Sequence, residues 1–254
     1  MTTLVECLWP APTGETPLDA AFLDPLPPEG MGRPWVATNM VTSIDGRAQL
    51  DGTAEGLGSR ADRRLMQAYR AAFDAVASGA GTLRADDFYS RLADDLAGAR
   101  AASGRSPQPM AIVVGGHRPV PSDRRWFGYD DQRRIVVVGS GSPHAADEPL
   151  PGVETWVAPT AEPQPAWLLE RLGADGVTSL LLEGGPTLNA AFLAAGLLDE
   201  LFWTIGPRFV ANDALHMVAT TDLPVPVEAK LVSVHRHADE LYLRYRIGTG
   251  SIGP

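Results

Sequence analysis

Four short apolar runs, each stopped by glycine, constrain this chain more than any other feature. They are Ala75-Val76-Ala77-Ser78-Gly79, Met110 to Val114 before Gly115-Gly116, Arg134 to Val138 before Gly139-Ser140-Gly141, and Val177 to Leu182 before Gly184-Gly185. Apolar runs of this length bounded by glycine read as buried strands. Helical patterns lie before and between them. Residues 60–73 have Ser59 as N-cap and Leu65, Met66, Tyr69 and Phe73 as an apolar face; Pro165 to Leu172 has Gly173 as its stop. Strands alternating with helices build a largely parallel sheet. Ligands of such sheets bind beyond the carboxyl ends of the strands, where these glycines fall.

The most informative strand end runs from Leu180 to Asn189. Two glycines, Gly184 and Gly185, free the backbone to turn, and Pro186 has the fixed φ of a first helical residue. A helix over 187–198 that starts after such a turn presents free N–H groups and the positive end of its dipole, which suits a phosphate. Taken alone, the segment reads equally as an anion site and as a tight strand-to-helix connection. Glu183 fits an anion site poorly, because an acid there needs another partner, such as a substrate hydroxyl.

The remaining elements extend the same pattern. A strand over Trp35 to Val41 ends in Ser43-Ile44-Asp45-Gly46, a turn in which Asp45 can bond backbone groups. Residues 52–58 hold three glycines and can approach a ligand closely. Residues 91–109 read as a short helix and a loop, 142–152 as a loop, and Val153 to Val157 as a strand. Glu200 to Ile205 is a strand, and Lys230 to His235 with Glu240 to Ile247 is a terminal antiparallel hairpin about Ala238-Asp239. Residues 1–34 are rich in proline and acid and read as an extension over the surface or toward a neighbouring subunit. Residues 35–250 read as one domain.

Composition removes several function classes. With 254 residues and 44% hydrophobic content the chain can bury a large core. A net charge of −10 argues against a general nucleic-acid binder. Cys7 is the single cysteine, so neither an intrachain disulfide nor a multi-cysteine zinc site is expected, and none of the five histidines forms a His-Glu-x-x-His pattern. No metal is expected. The absence of a signal-like N-terminus and of any membrane-length apolar run points to the cytoplasm.

Three motifs in order carry a family resemblance. Asn39-Met40-Val41-Thr42-Ser43-Ile44-Asp45-Gly46-Arg47 resembles the Ser-Leu-Asp-Gly-Lys/Arg motif of the riboflavin-pathway pyrimidine reductases, the C-terminal half of bifunctional RibD. The segment from Phe73 to Asp87 resembles their Asp-Ala-Ile/Val…Gly-x-x-Thr-x-x-x-Asp-Asp-Pro segment. Glu183-Gly184-Gly185-Pro186-Thr187-Leu188 resembles their Glu-Gly-Gly motif, followed by Leu198-Asp199-Glu200-Leu201. The likeness spans residues 35–247. It departs at Phe88, which stands in place of proline, in the short spacing from Asp86 to Arg91, and in the turn Pro207 to Asn212, which lacks the usual glycine.

The resemblance implies an α/β, dihydrofolate-reductase-like fold with a mostly parallel central sheet flanked by helices. It implies hydride transfer from NADPH to C1′ of the ribose of 5-amino-6-(5-phosphoribosylamino)uracil, giving a ribityl chain. Without a Pro-Cys-x-x-Cys site, the chain is similar to the stand-alone actinobacterial reductases. Thr82, Asp86 and Gly115 would contact the cofactor, and Gly184, Gly185, Pro186, Thr187, Leu188 and Asn189 would hold its pyrophosphate, with Arg118 near the 2′-phosphate. Thr53, Arg70, Arg91 and Glu183 would bind substrate, the two arginines its phosphate. Asp45 and Glu183 are the catalytic candidates; Asp45 reads equally as a turn former. The family implies a homodimer. Reduction of another pyrimidine or pterin, such as a 2,5-diamino-pyrimidinone or dihydrofolate, and a catalytically idle dinucleotide-binding relative are the alternatives.

Overall fold

The computed structural model describes residues 3–11, 14–21, 31–145, 150, 152–219, 223 and 226–248. Parts of the expected N-terminal extension and of the expected 142–152 loop lie outside these residues.

The glycine-stopped runs all become strands of one sheet. In chain order the strands are β1 (Leu4–Trp9), β2 (Gly14–Pro17), β3 (Trp35–Thr42), β4 (Ala75–Gly79), β5 (Met110–Val114), β6 (Arg134–Val138), β7 (Glu154–Val157), β8 (Ser179–Leu182), β9 (Glu200–Ile205), β10 (Ala229–His237) and β11 (Glu240–Ile247). Their spatial order is β2-β1-β10-β11-β9-β3-β8-β4-β5-β6-β7. From β9 to β7 every neighbouring pair is parallel; from β2 to β9 every pair is antiparallel. The mostly parallel sheet and the terminal hairpin are therefore as the sequence implies.

The parallel strands are near-continuous apolar runs because helices cover both faces. One core packs β3, β4, β5, β6 and β8 against α5 (Pro165–Ala174) and α6 (Pro186–Ala194), through Leu168, Leu169, Leu172 and Phe192. A second lies under α2 (Arg60–Ala72), where Leu65, Tyr69 and Phe73 meet Trp35, Val76, Leu181, Phe202 and Tyr242. Ser59 caps α2 as expected, its hydroxyl accepting from the Ala61 amide at 3.0 Å. A third core joins β5 and β6 to Leu83 of α3 (Ala80–Ala85) and to Trp126. The polar segment 91–109 contains α4 (Asp94–Ala102).

Two sequence expectations change. Gly173 does not stop α5, which runs on to Ala174; the left-handed residue is Gly176, at φ +81°. The N-terminal segment does more than wrap the surface. The strand β1 pairs with β10, and β2 with β1, lengthening the sheet on its antiparallel side. A four-residue helix, α1 (Leu18–Ala21), buries Leu18 beside Val5 in the second core.

The path of the chain places the functional cleft. It steps outward from β3 through β4, β5 and β6 to β7. It then returns with β8 into the gap between β3 and β4. Around β8 the chain leaves in opposite directions, onward from β4 to β5 and from β8 to β9, which makes the carboxyl ends of β4 and β8 the switch point where a ligand crevice is expected.

Candidate active site

The crevice is built from two strand-to-helix loops in contact. The β8 loop holds Glu183, Gly184 and Gly185; the β4 loop runs from Gly79 into α3. The Glu183 amide donates to Ala77 O at 2.9 Å and the Gly79 amide to Gly184 O at 2.9 Å. The approach demands glycine on the β8 side. A Cβ on Gly185 would stand 3.0 Å from Thr82 Oγ1, and Gly184 sits at φ +88°, a conformation that side chains disfavour. Thr82 and the glycines expected to serve one cofactor are thus brought together.

Residue Pro186 is the first residue of α6, as expected, but the helix ends at Ala194 rather than 198. The amides of Leu188 and Asn189 turn back onto Gly185 O at 3.0 and 3.1 Å. The side chain of Asn189 is buried, accepting from Thr38 Oγ1 at 3.1 Å and donating to Met217 O at 2.9 Å. Asn189 is therefore a structural tie, not an anion donor. Among the described residues, the amides of Gly185 and Thr187 meet no backbone acceptor. These two donors, the dipole behind them and the glycine surface fit a pyrophosphate.

Glu183 has the partner that its sequence context lacked. Both its oxygens accept from Arg70 of α2, from Nε at 2.6 Å and Nη2 at 2.7 Å. The two side chains are only 4% and 8% exposed. This corrects the expectation for Arg70: it is not free to grip a phosphate, because its bidentate face is spent on Glu183. The pair holds Glu183 rigid, with remaining lone pairs on its carboxylate for a hydroxyl donor.

The other candidate acid is held differently. Asp45 Oδ1 accepts from Ser43 Oγ at 2.6 Å and from the Val210 amide at 3.1 Å, and Oδ2 accepts from the Ala211 amide at 2.9 Å. These donors hold its carboxyl well below the usual carboxylate range, the Ser43 hydroxyl foremost. Asp45 is a fixed anion that organises two loops; it is not a proton donor near neutral pH.

Arg91 does not join the cleft. It pairs with Asp131, in the segment leading into β6, at 2.9 Å and with Asp94 at 3.4 Å, and lies over the Tyr129 ring. The amide of Gly115 is taken by Val137 O at 2.8 Å, so it is not open to a ligand. Asp86 follows α3, its amide closing on Thr82 O at 2.8 Å. Thr53 holds the glycine-rich loop in a tight turn with Leu50. Arg118 is exposed in the loop after β5.

A strap that the sequence did not reveal, residues 206–219, crosses these strand ends. Ile44 donates to Arg208 O at 2.8 Å, Ala48 to Leu215 O at 2.7 Å, and Ala219 to Pro186 O at 3.1 Å. Arg47 donates from Nη1 to Ala214 O at 2.9 Å and to His216 Nε2 at 3.0 Å. The buried Nε of Arg47 has no acceptor. A guanidinium donor left without a partner makes Arg47 a candidate ligand-facing residue. Its position in the Ser43–Arg47 motif was the only sequence signal for it.

The chain is similar to known proteins in sequence and in fold. The sequence model of the RibD C-terminal domain matches residues 34–243. The chain is 31% identical over 185 residues to the 2,5-diamino-6-ribosylamino-4(3H)-pyrimidinone 5′-phosphate reductase of Archaeoglobus fulgidus, covering 71% of this chain and 83% of that protein. It is 33% identical over 218 residues to the riboflavin biosynthesis protein RibD of Mycobacterium tuberculosis, covering 84% of this chain and 54% of RibD. The crystal structure of a pyrimidine reductase-like protein from Corynebacterium diphtheriae superimposes with a TM-score of 0.75 at 22% identity, covering 84% of this chain and 92% of that one. On the match across residues 34–243, the chain belongs to the RibD C-terminal domain family.

Proposed function

We propose that this protein reduces the ribose of 5-amino-6-(5-phosphoribosylamino)uracil to its ribityl form, with NADPH as hydride donor, in riboflavin biosynthesis. The observation that carries the reading is the contact between the Glu183–Pro186 and Gly79–Thr82 loops, with two open amides at the start of α6 and an anchored acid beside them. Gly185, Thr187 and Thr82 would hold the cofactor pyrophosphate, with Asp86 and Arg118 farther along the cofactor. Bound there, a nicotinamide supplies the hydride.

The side chains of the cleft supply placement and charge. Glu183, fixed by Arg70, accepts hydrogen bonds from ribose hydroxyls and so orients C1′. Arg47 would turn its guanidinium toward an anionic or carbonyl oxygen of the substrate, a role Arg70 and Arg91 cannot take in their present pairings. Opening of the ribose ring gives an imine at C1′; hydride arrives at that carbon and a proton at the nitrogen, leaving a secondary amine. Asp45 is ionised and holds Ser43 and the strap, so the proton comes from water or from the substrate's own hydroxyls.

The test is turnover of the purified chain with NADPH and this substrate, read as loss of nicotinamide absorbance and gain of two hydrogens in the product. Dihydrofolate in place of the pyrimidine should give no turnover. The archaeal relatives favour a second reading, in which the pyrimidine still carries its 2-amino group. A higher kcat/KM on the 2,5-diamino substrate would select it.

The proposal includes a homodimer in the cytoplasm. Leu201, Trp203 and Ile205 of β9 stand opposite Tyr245, Leu243 and Leu241 of β11 on the sheet face away from α2. All six are half-exposed and lie in none of the three cores. An apolar, self-complementary face of this kind suits a second copy of the chain. Leu243→Asp should halve the sedimenting mass.

A further inference from the structure

The strap over the cleft is fastened at one end by a histidine whose two ring nitrogens are both engaged. His216 Nε2 lies 3.0 Å from Arg47 Nη1, and its Nδ1 lies 3.1 Å from Gly46 O. Arginine can only donate, so Nε2 must accept; a carbonyl can only accept, so Nδ1 must carry the proton. One neutral tautomer of the imidazole, with its proton on Nδ1, satisfies both contacts together. Arg47 and His216 also form an antiparallel bridge, and the Ala48 amide binds Leu215 O beside it. This corner ties the Ser43–Ala48 loop to the strap.

We infer that His216 is a positioning residue: its neutral imidazole fixes the Arg47 guanidinium and pins the strap at Leu215–His216, and its protonation releases both. The inference rests on reading the cleft as the substrate site proposed above. A proton on Nε2 faces an Nη1–H donor at 3.0 Å, so a hydrogen bond to a charged group becomes a donor–donor contact between two cations. The charged groups of the two segments meeting here are Asp45 and Arg47 from the loop and Arg208 and Asp213 from the strap, while α6, on the strap's other side, brings no charged side chain. Asp45 already spends its carboxylate on Ser43, Val210 and Ala211. It does not reach the imidazole in any hydrogen bond among the described residues.

The remaining tethers do not titrate in this range. The Val210 and Ala211 amides stay on Asp45, and Met217 and Ala219 stay on Asn189 and Pro186. Acid therefore loosens one corner of the strap rather than the whole. Histidine is suited to such a switch because it changes charge between pH 5 and 8.

The test is amide hydrogen exchange on the intact protein, corrected for intrinsic rates, at pH 8 and pH 5.5. Protection of the Ala48 amide should fall about tenfold in acid, while that of the Ala219 amide holds. His216→Gln, which can still accept from Arg47 but does not titrate, should keep Ala48 protected at both values. Constant Ala48 protection in the native protein, or an equal fall in His216→Gln, would overturn the inference. In turnover assays the native KM for the phosphoribosyl substrate should rise several-fold in acid with kcat little changed, and the glutamine variant should stay flat. The exchange result needs no substrate: if it holds and the pyrimidine is not turned over, the functional reading fails and the latch stands.

Discussion

Glu183 and Asp45, the two acids of the cleft, are immobilised by opposite means. Glu183 is buried and held by one guanidinium, so its position depends on a charge pair removed from water. Asp45 is held near the surface by a hydroxyl and two amides, so its position depends on loop backbone. A buried pair is costly to break because the remaining partner is left as an uncompensated charge. A surface anion on neutral donors can lose one contact and be rehydrated. The first acid is therefore coupled to the stability of the fold, and the second to the placement of the strap.

The largest effect should come from Arg70→Met. Removal of the guanidinium leaves the Glu183 charge buried alone and should cost about 3–5 kcal/mol in denaturant unfolding. Replacing both partners, Arg70→Met with Glu183→Leu, should recover much of that stability but no activity. If Arg70→Met melts like the native protein, the two acids do not differ as described. Next in size is Glu183→Gln. It keeps one acceptor for Arg70 but leaves that charge uncompensated, so the protein should stay folded with reduced stability, while kcat/KM should fall about a hundredfold, equivalent to about 2.7 kcal/mol of transition-state stabilisation.

The smallest effect belongs to Asp45→Asn: a several-fold rise in substrate KM with kcat preserved, since the amide cannot accept from both strap N–H groups and Ser43. Its pH signature has a defined sign. The carboxyl of Asp45 is depressed in the folded state, so the stability it contributes is present above about pH 4, the unfolded value. That contribution is lost as pH falls through the folded value. Acid-unfolding curves of Asp45→Asn should therefore be flatter below pH 4 than those of the native protein. An unchanged acid limb would place Asp45 outside the network holding the strap.

Much of the scaffold was legible in the sequence because each parallel strand is an apolar run closed by glycine. The strands β5, β6 and β11 and the cap of α2 need only local information. Local information fails at β1 and β2, whose pairing with the C-terminal hairpin leaves only a faint alternation in the segment before Trp35. It fails at Gly173, where the missing side chain lies 3.6 Å from Pro34 inside a continuing helix. The ligand loops were legible as motifs, yet the partners of their charged residues were not. Arg70 meets Glu183 across 113 positions of sequence, and Arg91 meets Asp131 across 40. An arginine near a site in sequence carries no information on which acid it meets in space.

The place of β8 in the sheet also governs when the site can exist during folding. Residues Trp35–Thr42 and Ala75–Gly79 are made early, but their shared neighbour is Ser179–Leu182. Until that segment emerges, β3 and β4 present unpaired edges toward an empty strand position. No fragment that stops short of Leu182 can assemble the contact between the Gly79 and Gly184 loops. Ligand binding can therefore begin only after the central strand has closed the sheet, which makes cofactor capture a report on completed folding rather than an aid to its early steps.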